Sequence, residues 1–314
     1  MLAVLDITSD PFCSFKLMYS TAHPRDYFAC SGCSLCRLVC PMWRARRDPR
    51  YSPEGIAKAR QNGATVTELA NVLDACVLCG ACDPVCPENI ALTDMIMDLR
   101  QLRNARPGEP GLSAPAVEPA PAGALLLPGA ALRADSALLE RVQSLFGLRV
   151  AIDDGADIAW ELERGIAVDG ARRRRFLDML DGRTLVVGDG LLLRWLRGQL
   201  RAARLQGLGE ALGTLPALRR RVASADFYVI EARAYHADHS RLVAHYDALR
   251  KETGCAMNLD LQRIAIPAAD EAEARWMLQG RRPARIVVEN PAEREVLRRV
   301  CEVPVLHLAE LVDA

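Results

Sequence analysis

Eight cysteines stand in two copies of one spaced string, and this arrangement is the strongest chemical signal in the chain. Each string reads C-x2-C-x2-C-x3-C-P; the two strings are Cys30, Cys33, Cys36, Cys40 with Pro41, and Cys76, Cys79, Cys82, Cys86 with Pro87. This spacing is the bacterial iron–sulfur ligation pattern. It predicts two 4Fe-4S clusters and a chain that carries electrons.

The fourth cysteine of each string predicts how the ligands are shared. In two-cluster ferredoxins of this type, the fourth cysteine ligates the other cluster. Cluster 1 is therefore assigned to Cys30, Cys33, Cys36 and Cys86, and cluster 2 to Cys76, Cys79, Cys82 and Cys40. Because each cluster takes ligands from both strings, both strings belong to one domain. No catalytic residue is assigned.

Zinc and disulfides are the alternatives for these cysteines. Zinc sites use paired C-x2-C knuckles, and a third cysteine at the same step followed by x3-Cys-Pro is not that pattern. Disulfides belong to secreted proteins, whereas residues 1–8 lack a basic region followed by an apolar core. The remaining cysteines, Cys13, Cys255 and Cys301, are interpreted as small apolar residues.

Length and composition indicate two domains without a strong overall charge. The chain has 314 residues, of which 50% are hydrophobic, and its 40 basic side chains balance 40 acidic ones. This balance argues against nucleic acid as a partner. No apolar stretch approaches the ~18 residues needed to cross a bilayer, so no membrane segment of its own is predicted. Reduced thiolates and the N-terminal sequence predict a cytoplasmic protein.

Two groups of arginines are exceptions to the even charge distribution. Residues 172–175 are four consecutive arginines, which are interpreted as a solvated helix face. Arg44, Arg46, Arg47 and Arg50 follow the first cysteine string. We interpret this second group as a docking surface, because positive charge near a cluster raises its potential and steers an acidic redox partner.

A Pro- and Ala-rich stretch at 104–124 divides the chain and predicts an extended linker. Residues 1–103 are predicted to form a helical ferredoxin-like domain. Within it, Thr65–Glu68 is a capping box, and apolar residues keep helical spacing from Leu92 to Leu102. Residues 125–314 form a second domain of α/β type, so the predicted fold class is α+β.

The second domain contains a duplicated α/β unit, with repeats at about 125–222 and 223–314. Strands are predicted at 123–128, 149–152 and 184–187, and again at 227–230, 255–259 and 285–288. Helices are predicted from Ser136, after Gly190 and after His239–Ser240. Short apolar strands that alternate with helices predict parallel sheets in a pseudo-twofold pair.

Crevices are expected where these strands end, at Pro128–Gly129, Gly188–Gly190 and Glu231. The second of these segments lacks the third glycine of a dinucleotide fingerprint, and the chain has no phosphate-binding loop of the Walker type. Nucleotide binding is therefore not predicted.

A two-cluster ferredoxin module followed by a duplicated α/β domain resembles the iron–sulfur subunits of the heterodisulfide reductase family. Relatives of that family include iron–sulfur subunits of glycolate oxidase and anaerobic glycerol-3-phosphate dehydrogenase. The resemblance rests on both cysteine strings over residues 30–103, and on architecture alone over residues 125–314. It implies an electron-transfer subunit that works with a flavoprotein or electron-transfer flavoprotein, and with a membrane or quinone-reactive subunit.

The chain departs from this family in its second domain. Each family repeat carries a Cys-Cys-Gly core, but here Asp153-Asp154-Gly155 occupies that place in the first repeat. Pro128-Gly129-Ala130 stands where an earlier cysteine is expected. In the second repeat, residues 235–239 lie near an expected cysteine–histidine element, and only Cys255 remains. We expect a domain that kept its shell and lost the metal chemistry.

His236, Asp238 and His239 are an alternative set of metal ligands in the second domain. Two histidines three residues apart meet on one helical turn, but without a third clear ligand they rarely make a site. We therefore interpret them as helix-capping or solvent-facing residues.

Three functions follow from these observations. The leading hypothesis is an electron-transfer subunit of a multi-subunit oxidoreductase, which relays electrons between a flavoprotein and a quinone or other acceptor. The first alternative is a catalytic subunit that reduces a heterodisulfide or a quinone, and the missing cysteines argue against it. The second alternative is a redox-sensing protein, and the lack of a DNA-binding or signalling element argues against that.

Overall fold

The computed structural model describes residues 26–104, 123–200 and 203–312. A helical N-terminal region is followed by two parallel sheets of four strands each, which confirms the predicted α+β class. Residues 1–8, Cys13 and most of the predicted linker at 104–124 lie outside the described residues. The domain boundaries stay a prediction.

The N-terminal region consists of five helices joined by the cysteine loops. They are α1 (Leu35–Val39), α2 (Pro41–Arg46), α3 (Pro53–Gln61), α4 (Ala70–Ala75) and α5 (Leu92–Asn104), with short 3-10 turns at Tyr27–Ala29 and Pro49–Tyr51. Each of the prolines Pro41 and Pro53 stands at the start of its helix, where its missing N–H costs no intrahelical bond.

Local sequence signals explain how α4 and α5 form. The predicted capping box is confirmed, because Glu68 N–H donates to Thr65 Oγ1 at 3.2 Å and Thr65 N–H donates to the Glu68 carboxylate at 2.7 Å. In α5, Leu92, Ile96 and Leu99 are each at most 2% exposed, as their helical spacing predicts.

The first parallel sheet has the strand order β2-β1-β3-β4. Its strands are β1 (Leu125–Leu127), β2 (Arg149–Val150), β3 (Thr184–Val187) and β4 (Arg204–Gly207). Helices cover both faces of the sheet, as a parallel sheet requires. They are α6 (Gly129–Arg133), α7 (Ser136–Phe146), α8 (Ala156–Arg164), α9 (Gly170–Leu180), α10 (Gly190–Gln199), α11 (Leu208–Gly213) and α12 (Pro216–Arg219).

The second sheet has the order β6-β5-β9-β10. These strands correspond in turn to β2, β1, β3 and β4 of the first sheet, so the two sheets share one strand order. Its strands are β5 (Asp226–Val229), β6 (Ala256–Met257), β9 (Arg285–Val288) and β10 (Val305–His307). The accompanying elements are α13 (Ala232–Ala237), α14 (His239–Thr253), a two-stranded antiparallel pair β7 (Leu259–Asp260) and β8 (Ile264–Ala265), α15 (Glu271–Leu278) and α16 (Pro291–Arg298). The shared order accords with a duplicated unit.

The predicted strands agree well with the structure, although some elements were missed. Strands at 184–187 and 285–288 have the predicted bounds, and the other four are shorter or shifted by a residue. The edge strands β4 and β10 were not predicted, because β4 is largely polar and β10 has only three residues. Asp135 rather than Ser136 caps α7, since its side chain accepts the Leu138 N–H at 3.0 Å.

Arg172 contradicts the interpretation of residues 172–175 as a solvated helix face. Its side chain is only 2% exposed and forms ion pairs with Asp153 at 2.7 Å and Asp157 at 2.8 Å. Asp153 belongs to the segment where the resemblance predicts a Cys-Cys-Gly core. Its neighbour Asp154 is also buried and pairs with Arg133 at 2.8 Å. Buried ion pairs therefore hold this segment in place.

Within the described ranges, no helix is both long and apolar enough to cross a bilayer.

Replacing Arg172 with Met is expected to lower the free energy of unfolding by about 3 kcal/mol, because it leaves the buried Asp153 carboxylate without an opposite charge beside it. Thermal unfolding followed by circular dichroism measures the effect. Arg174→Met is the matched control, since Arg174 lies on the same helix and is exposed. Equal unfolding temperatures for the two variants would contradict the importance of this ion pair.

Candidate iron–sulfur centre and adjoining cavity

Cys30, Cys33, Cys36 and Cys86 line one small cavity, although Cys86 comes from the other cysteine string. The same cavity is lined by Ile90 and Leu92, by Glu54 and Glu88, and by two serines of the first loop. Cys36 is buried, whereas Cys33 is exposed. The structure therefore brings together the four thiols that were assigned to cluster 1.

Cys40 interacts electrostatically with the first three thiols of the second string. Burial raises the pKa of Cys40 to about 12, and the charge of Cys76 adds to this rise. The pKa values of Cys79 and Cys82 are also raised, first by burial and then by neighbouring thiols that include Cys40. These thiols are close enough to feel one another's charge.

These buried cysteines are better suited to binding iron than to existing as free thiolates. Burial also raises the pKa of Cys36 to about 12, so a bare thiolate in these loops is unfavourable without a cation beside it. A metal ligand must be the deprotonated thiolate, and binding a metal supplies that positive charge. Among the described residues, no three His, Cys, Asp or Glu side chains converge on a single ion. Four separate thiolates suit a cubane.

Glycines in both loops allow other groups to approach the cysteines closely. Gly32 and Gly80 have φ values of +80° and +79°, which disfavour any side chain. A Cβ on Gly80 would also lie 2.7 Å from the Cβ of His236, and one on Gly32 would lie 2.9 Å from the Cε of Lys58. Lys58 in turn donates to the carbonyl oxygen of Cys30 at 2.7 Å.

Three exposed large apolar residues lie within five positions of the exposed Cys33 in the sequence. Phe28 is 68% exposed, Leu38 is 46% exposed and Leu35 is 36% exposed. Exposed large apolar side chains that cluster beside a functional group are typical of a docking surface. We call Phe28, Cys33, Leu35 and Leu38 the exposed rim of cluster 1.

Arg44 does not belong to the predicted basic docking surface. Its side chain is 16% exposed, pairs with Asp260, and stacks over Trp276 at 4.6 Å from the ring centroid. It thereby joins the cysteine region to the second half of the α/β region. Arg46, Arg47 and Arg50 are exposed.

Three arginines surround the second cysteine loop. Arg100 is 4% exposed and donates to the carbonyl oxygens of Leu73 and Cys76. Arg233 donates to the carbonyl oxygen of Val77 at 2.9 Å. Arg194 binds Asp83, the residue after Cys82, at 2.7 Å and Asp94 at 2.7 Å. Because Arg194 and Arg233 come from the α/β region, that region holds the loop in place.

None of these arginines was predicted from the sequence to contact the cysteine loop, although the pattern of α5 indicates that Arg100 is buried. Arg100 follows Leu99 and lies one turn after Ile96, so it falls on the apolar face of the helix. A charged residue on such a face indicates a buried partner. No comparable local signal marked Arg194 or Arg233, since their partners are distant in sequence.

His236 is buried against the second cysteine loop, which corrects its interpretation as a capping or solvent-facing residue. Its Nδ1 lies 2.7 Å from the carbonyl oxygen of Cys79, so Nδ1 carries the proton and donates it. Nε2 has no hydrogen-bond partner in the part of the chain described. Burial lowers the pKa of His236 to about 3, so the ring is neutral. His239 is the first residue of α14 and does not cap it.

A larger cavity of 330 Å³ lies where the strands of both sheets end. The predicted crevice segments Pro128–Gly129, Gly188–Gly190 and Glu231 all line it. Asn290, Ala292 and Glu293, from the segment that follows β9, also line this cavity. The carboxyl ends of parallel strands meet at one edge, which explains why four segments far apart in sequence converge here. Val77 and Cys79 complete the wall.

Buried carboxyl groups gather beside this cavity. Glu289 accepts hydrogen bonds from the hydroxyls of Tyr228 and Tyr246, each at 2.8 Å, and from the Glu231 N–H at 2.9 Å. Burial raises the pKa of Glu231 and of Glu289 to about 7. Burial raises the pKa of Glu293 to about 8, and the neighbouring carboxylates add to the rise. Glu293 was missed from the sequence, although it lies one turn before the buried Leu297 on α16.

Comparison with known proteins supports the reading of the cysteines. Residues 26–90 match the family of the 4Fe-4S dicluster domain. Comparison of the chain with curated proteins and with solved structures gives no match. The chain therefore carries a 4Fe-4S dicluster domain, and its eight cysteines between 30 and 86 imply two 4Fe-4S clusters, as predicted.

Replacing Arg194 with Met is expected to lower the midpoint potential of the cluster beside Cys82, because loss of a nearby positive charge favours the more oxidised state. Stability should also fall by about 2 kcal/mol, since Asp83 and Asp94 lose their partner in a partly buried site. Electron paramagnetic resonance during a redox titration measures the potential. Arg197→Met is the control, because Arg197 lies on the same helix and pairs with Asp238 instead. A potential that does not fall in Arg194→Met would contradict this role.

Stability is expected to decrease as pH rises from about 4.5 to about 8, in part because of Glu293. Its carboxyl has a pKa of about 8 in the fold against an ordinary value of 4.5. The contribution of the protonated form is therefore full at low pH and is lost as pH rises through the folded pKa. The thermal unfolding temperature should fall less steeply in Glu293→Gln than in the wild type. Glu295→Gln, at an exposed position of the same helix, should keep the wild-type slope; an unchanged slope in Glu293→Gln would contradict the assignment.

Proposed function

We propose that this chain is the electron-transfer iron–sulfur subunit of a multi-subunit oxidoreductase. It relays single electrons between a flavoprotein dehydrogenase or electron-transfer flavoprotein and a quinone or other acceptor. The observation that carries the proposal is the unequal surroundings of the two cysteine groups. One group ends at the exposed Cys33, and the other is buried against the α/β region. An exposed ligand gives a docked partner a short electron path to the first group, and burial shields the second group from water.

The crossed ligand assignment is part of this proposal. It is supported by the cavity that Cys86 shares with Cys30, Cys33 and Cys36. It is supported further by the mutual effect of Cys40 and the thiols of the second string. A ligand from each string in each cluster keeps the two centres close together, and short distances favour electron transfer.

The exposed rim of cluster 1 is the surface on which we place the flavoprotein partner. Its apolar side chains Phe28, Leu35 and Leu38 exclude water when a partner docks, and the exposed Arg46 and Arg50 attract an acidic one. This partner is a proposal that rests on surface chemistry. A cytoplasmic location, peripheral to a membrane through another subunit, is proposed with it.

Charged groups around both loops set the relative potentials of the two clusters. When bound, the clusters supply the one-electron chemistry, and the protein sets their relative potentials. Arg100 and Arg233 donate to carbonyls of the second loop, and their charges act on Cys76. The carboxylate of Glu54, which pairs with Arg37 at 2.6 Å, acts on Cys36 in the first group, and the carboxylate of Asp83 acts on Cys82 in the second. Positive charge raises a cluster potential, and negative charge lowers it.

The relationship to the heterodisulfide reductase family is proposed on the same basis. The duplicated strand order supports it, and the buried ion pairs of Asp153 and Asp154 explain how this chain keeps the family's architecture without its cysteines.

Purification under anoxic conditions tests the relay. The chain is expected to co-purify with a flavoprotein, and the flavoprotein's substrate should reduce the clusters in the complex but not in the isolated chain. Isolation of the chain alone as a fully active enzyme would overturn the proposal. Arg46→Glu combined with Arg50→Glu should weaken the complex, whereas Arg174→Glu, at an exposed position away from the rim, should not.

Double substitutions test the crossed assignment by iron content. The wild type is expected to hold about eight irons per chain, and Cys33→Ser with Cys86→Ser should keep about four, because both changes strike cluster 1. Cys33→Ser with Cys82→Ser should lose nearly all iron, since it strikes both clusters. Cys255→Ser is the control and should keep the full content. Complete loss of iron in the Cys33/Cys86 pair would show that the fourth cysteines do not cross.

A further inference from the structure

The cavity between the two sheets has the size and position of a ligand site. Its 330 Å³ lies within the ~300–1,000 Å³ range of small-molecule pockets. It sits at the carboxyl ends of the central strands of both sheets, β1 and β3 in the first and β5 and β9 in the second. Ligands of open α/β sheets bind at this point, where the strand order reverses. Its walls include the exposed Ala130, Ala269 and Ala292, so the cavity opens to solvent.

One wall of the cavity is formed by the second cysteine loop itself. Val77 and Cys79 line it directly. Arg233, another lining residue, fixes this wall by donating to the carbonyl oxygen of Val77. A molecule in the cavity would therefore lie against a ligand loop of the buried cluster, with no intervening protein domain.

A buried polar atom in the wall lacks a partner. Glu293 lines the cavity and is 7% exposed; one of its carboxyl oxygens accepts the Ala268 N–H at 2.8 Å, while Oε2 has no hydrogen-bond partner among the described residues. The neighbouring acidic groups are satisfied, because Asp189 caps α10 and Glu231 caps α13. A buried polar group without a partner is costly, so a ligand atom that bonds Oε2 stabilises the site.

The state of this carboxyl indicates which kind of ligand atom suits it. Burial and the charges of Glu231 and Glu289 raise the pKa of Glu293 to about 8, against a small lowering effect from Arg233. A protonated carboxyl donates a hydrogen bond. Its complement is an acceptor oxygen such as a carbonyl. The apolar side chains of Val77, Pro267 and Val296 in the same cavity suit a hydrocarbon ring.

We propose that this cavity binds a small redox-active ring that bears carbonyl oxygens, a compound of the quinone class, with Glu293 Oε2 donating to one carbonyl. This inference rests on the proposed function, since it supplies the acceptor for the relay. It makes this chain the place where the acceptor is reduced, rather than only a conductor to another subunit.

The proposed reaction balances with the groups at hand. The two carbonyl oxygens become hydroxyls by taking up two electrons and two protons. The electrons would come from the two clusters that the eight cysteines would hold, one electron from each, after reduction by the flavoprotein. Glu293 supplies one proton at Oε2 and recovers it from solvent through the open side of the cavity, and the same solvent path supplies the second proton.

Equilibrium binding tests the site without turnover. The full chain, purified anoxically with its clusters oxidised, is titrated with menadione by isothermal calorimetry. Glu293→Met should bind menadione about tenfold more weakly, because it loses the donor but keeps the size of the side chain. Glu293→Gln should stay within about twofold, since its amide still donates. Glu295→Met, at an exposed position of the same helix, should bind as the wild type does.

A second variant separates shape from hydrogen bonding. Ala131→Leu narrows the cavity from α6 and should also weaken menadione binding, with unfolding temperature and iron content measured to show that the fold is intact. Titration with butylammonium is the counter-probe. Binding of butylammonium that depends on Glu293, without binding of menadione, would overturn the proposal in favour of a cation site. Equal affinity of the wild type and Glu293→Met for menadione would overturn it as well.

Proton transfer has its own readout. Reduced protein is mixed with menadione in a stopped-flow instrument, and cluster absorbance follows reoxidation. Glu293→Gln should bind the probe normally but reoxidise at least about tenfold more slowly, because an amide cannot deliver the proton. Unchanged reoxidation would remove Glu293 from the reaction. If the complex still passes electrons to its clusters while menadione fails to bind, the cavity proposal fails and the relay stands.

Discussion

The burial of thiolates is the constraint on which the rest of this structure depends. Cys40, Cys79 and Cys82 lie in surroundings that raise the pKa of each thiol, so their charged form needs compensation. Iron supplies most of it, and the protein adds cations that are themselves held in place. Arg100 is bound by carbonyl oxygens of the cysteine region and of α8, and Arg194 is bound by two aspartates. Compensation of this kind requires the α/β region to pack directly on the cysteine loops, and a continuous apolar core joins the two regions.

The topology of the α/β region allows it to pack on the cysteine loops. Both sheets run in the same strand order, and their carboxyl ends point at one shared space. Close approach at these ends is enforced locally: a Cβ on Gly188 would lie 2.2 Å from the Pro128 carbonyl oxygen. A Cβ on Gly190 would lie 2.4 Å from the Glu231 carboxylate. Gly188 therefore lets the ends of β1 and β3 approach each other, Gly190 lets the two halves meet, and the second cysteine loop forms another wall of the cavity.

Sequence reasoning succeeded where the signal is local and failed where it depends on distant partners. The cysteine spacing, the Thr65–Glu68 capping box and the central strands depend on residues a few positions apart, and each was predicted. Arg172 was predicted to be solvated because its partners, Asp153 and Asp157, precede it in sequence by about the length of a helix. The segment that contains them was interpreted only through the cysteines that it lacks. His236 was misread for a similar reason: the carbonyl oxygen that it binds is contributed by Cys79, in the other half of the chain.

The α/β region contains an open cavity beside the second cysteine loop. Asp153 and Asp154 form buried ion pairs with arginines and do not line this cavity. The cavity itself retains an open side, a wall from the cysteine loop and one unsatisfied carboxyl oxygen. A domain that served only as a docking shell would gain stability by filling this space with apolar side chains and by pairing Glu293. The open space and the unsatisfied oxygen of Glu293 each cost free energy, and both lie beside Cys79. A bound molecule explains them better than packing alone does.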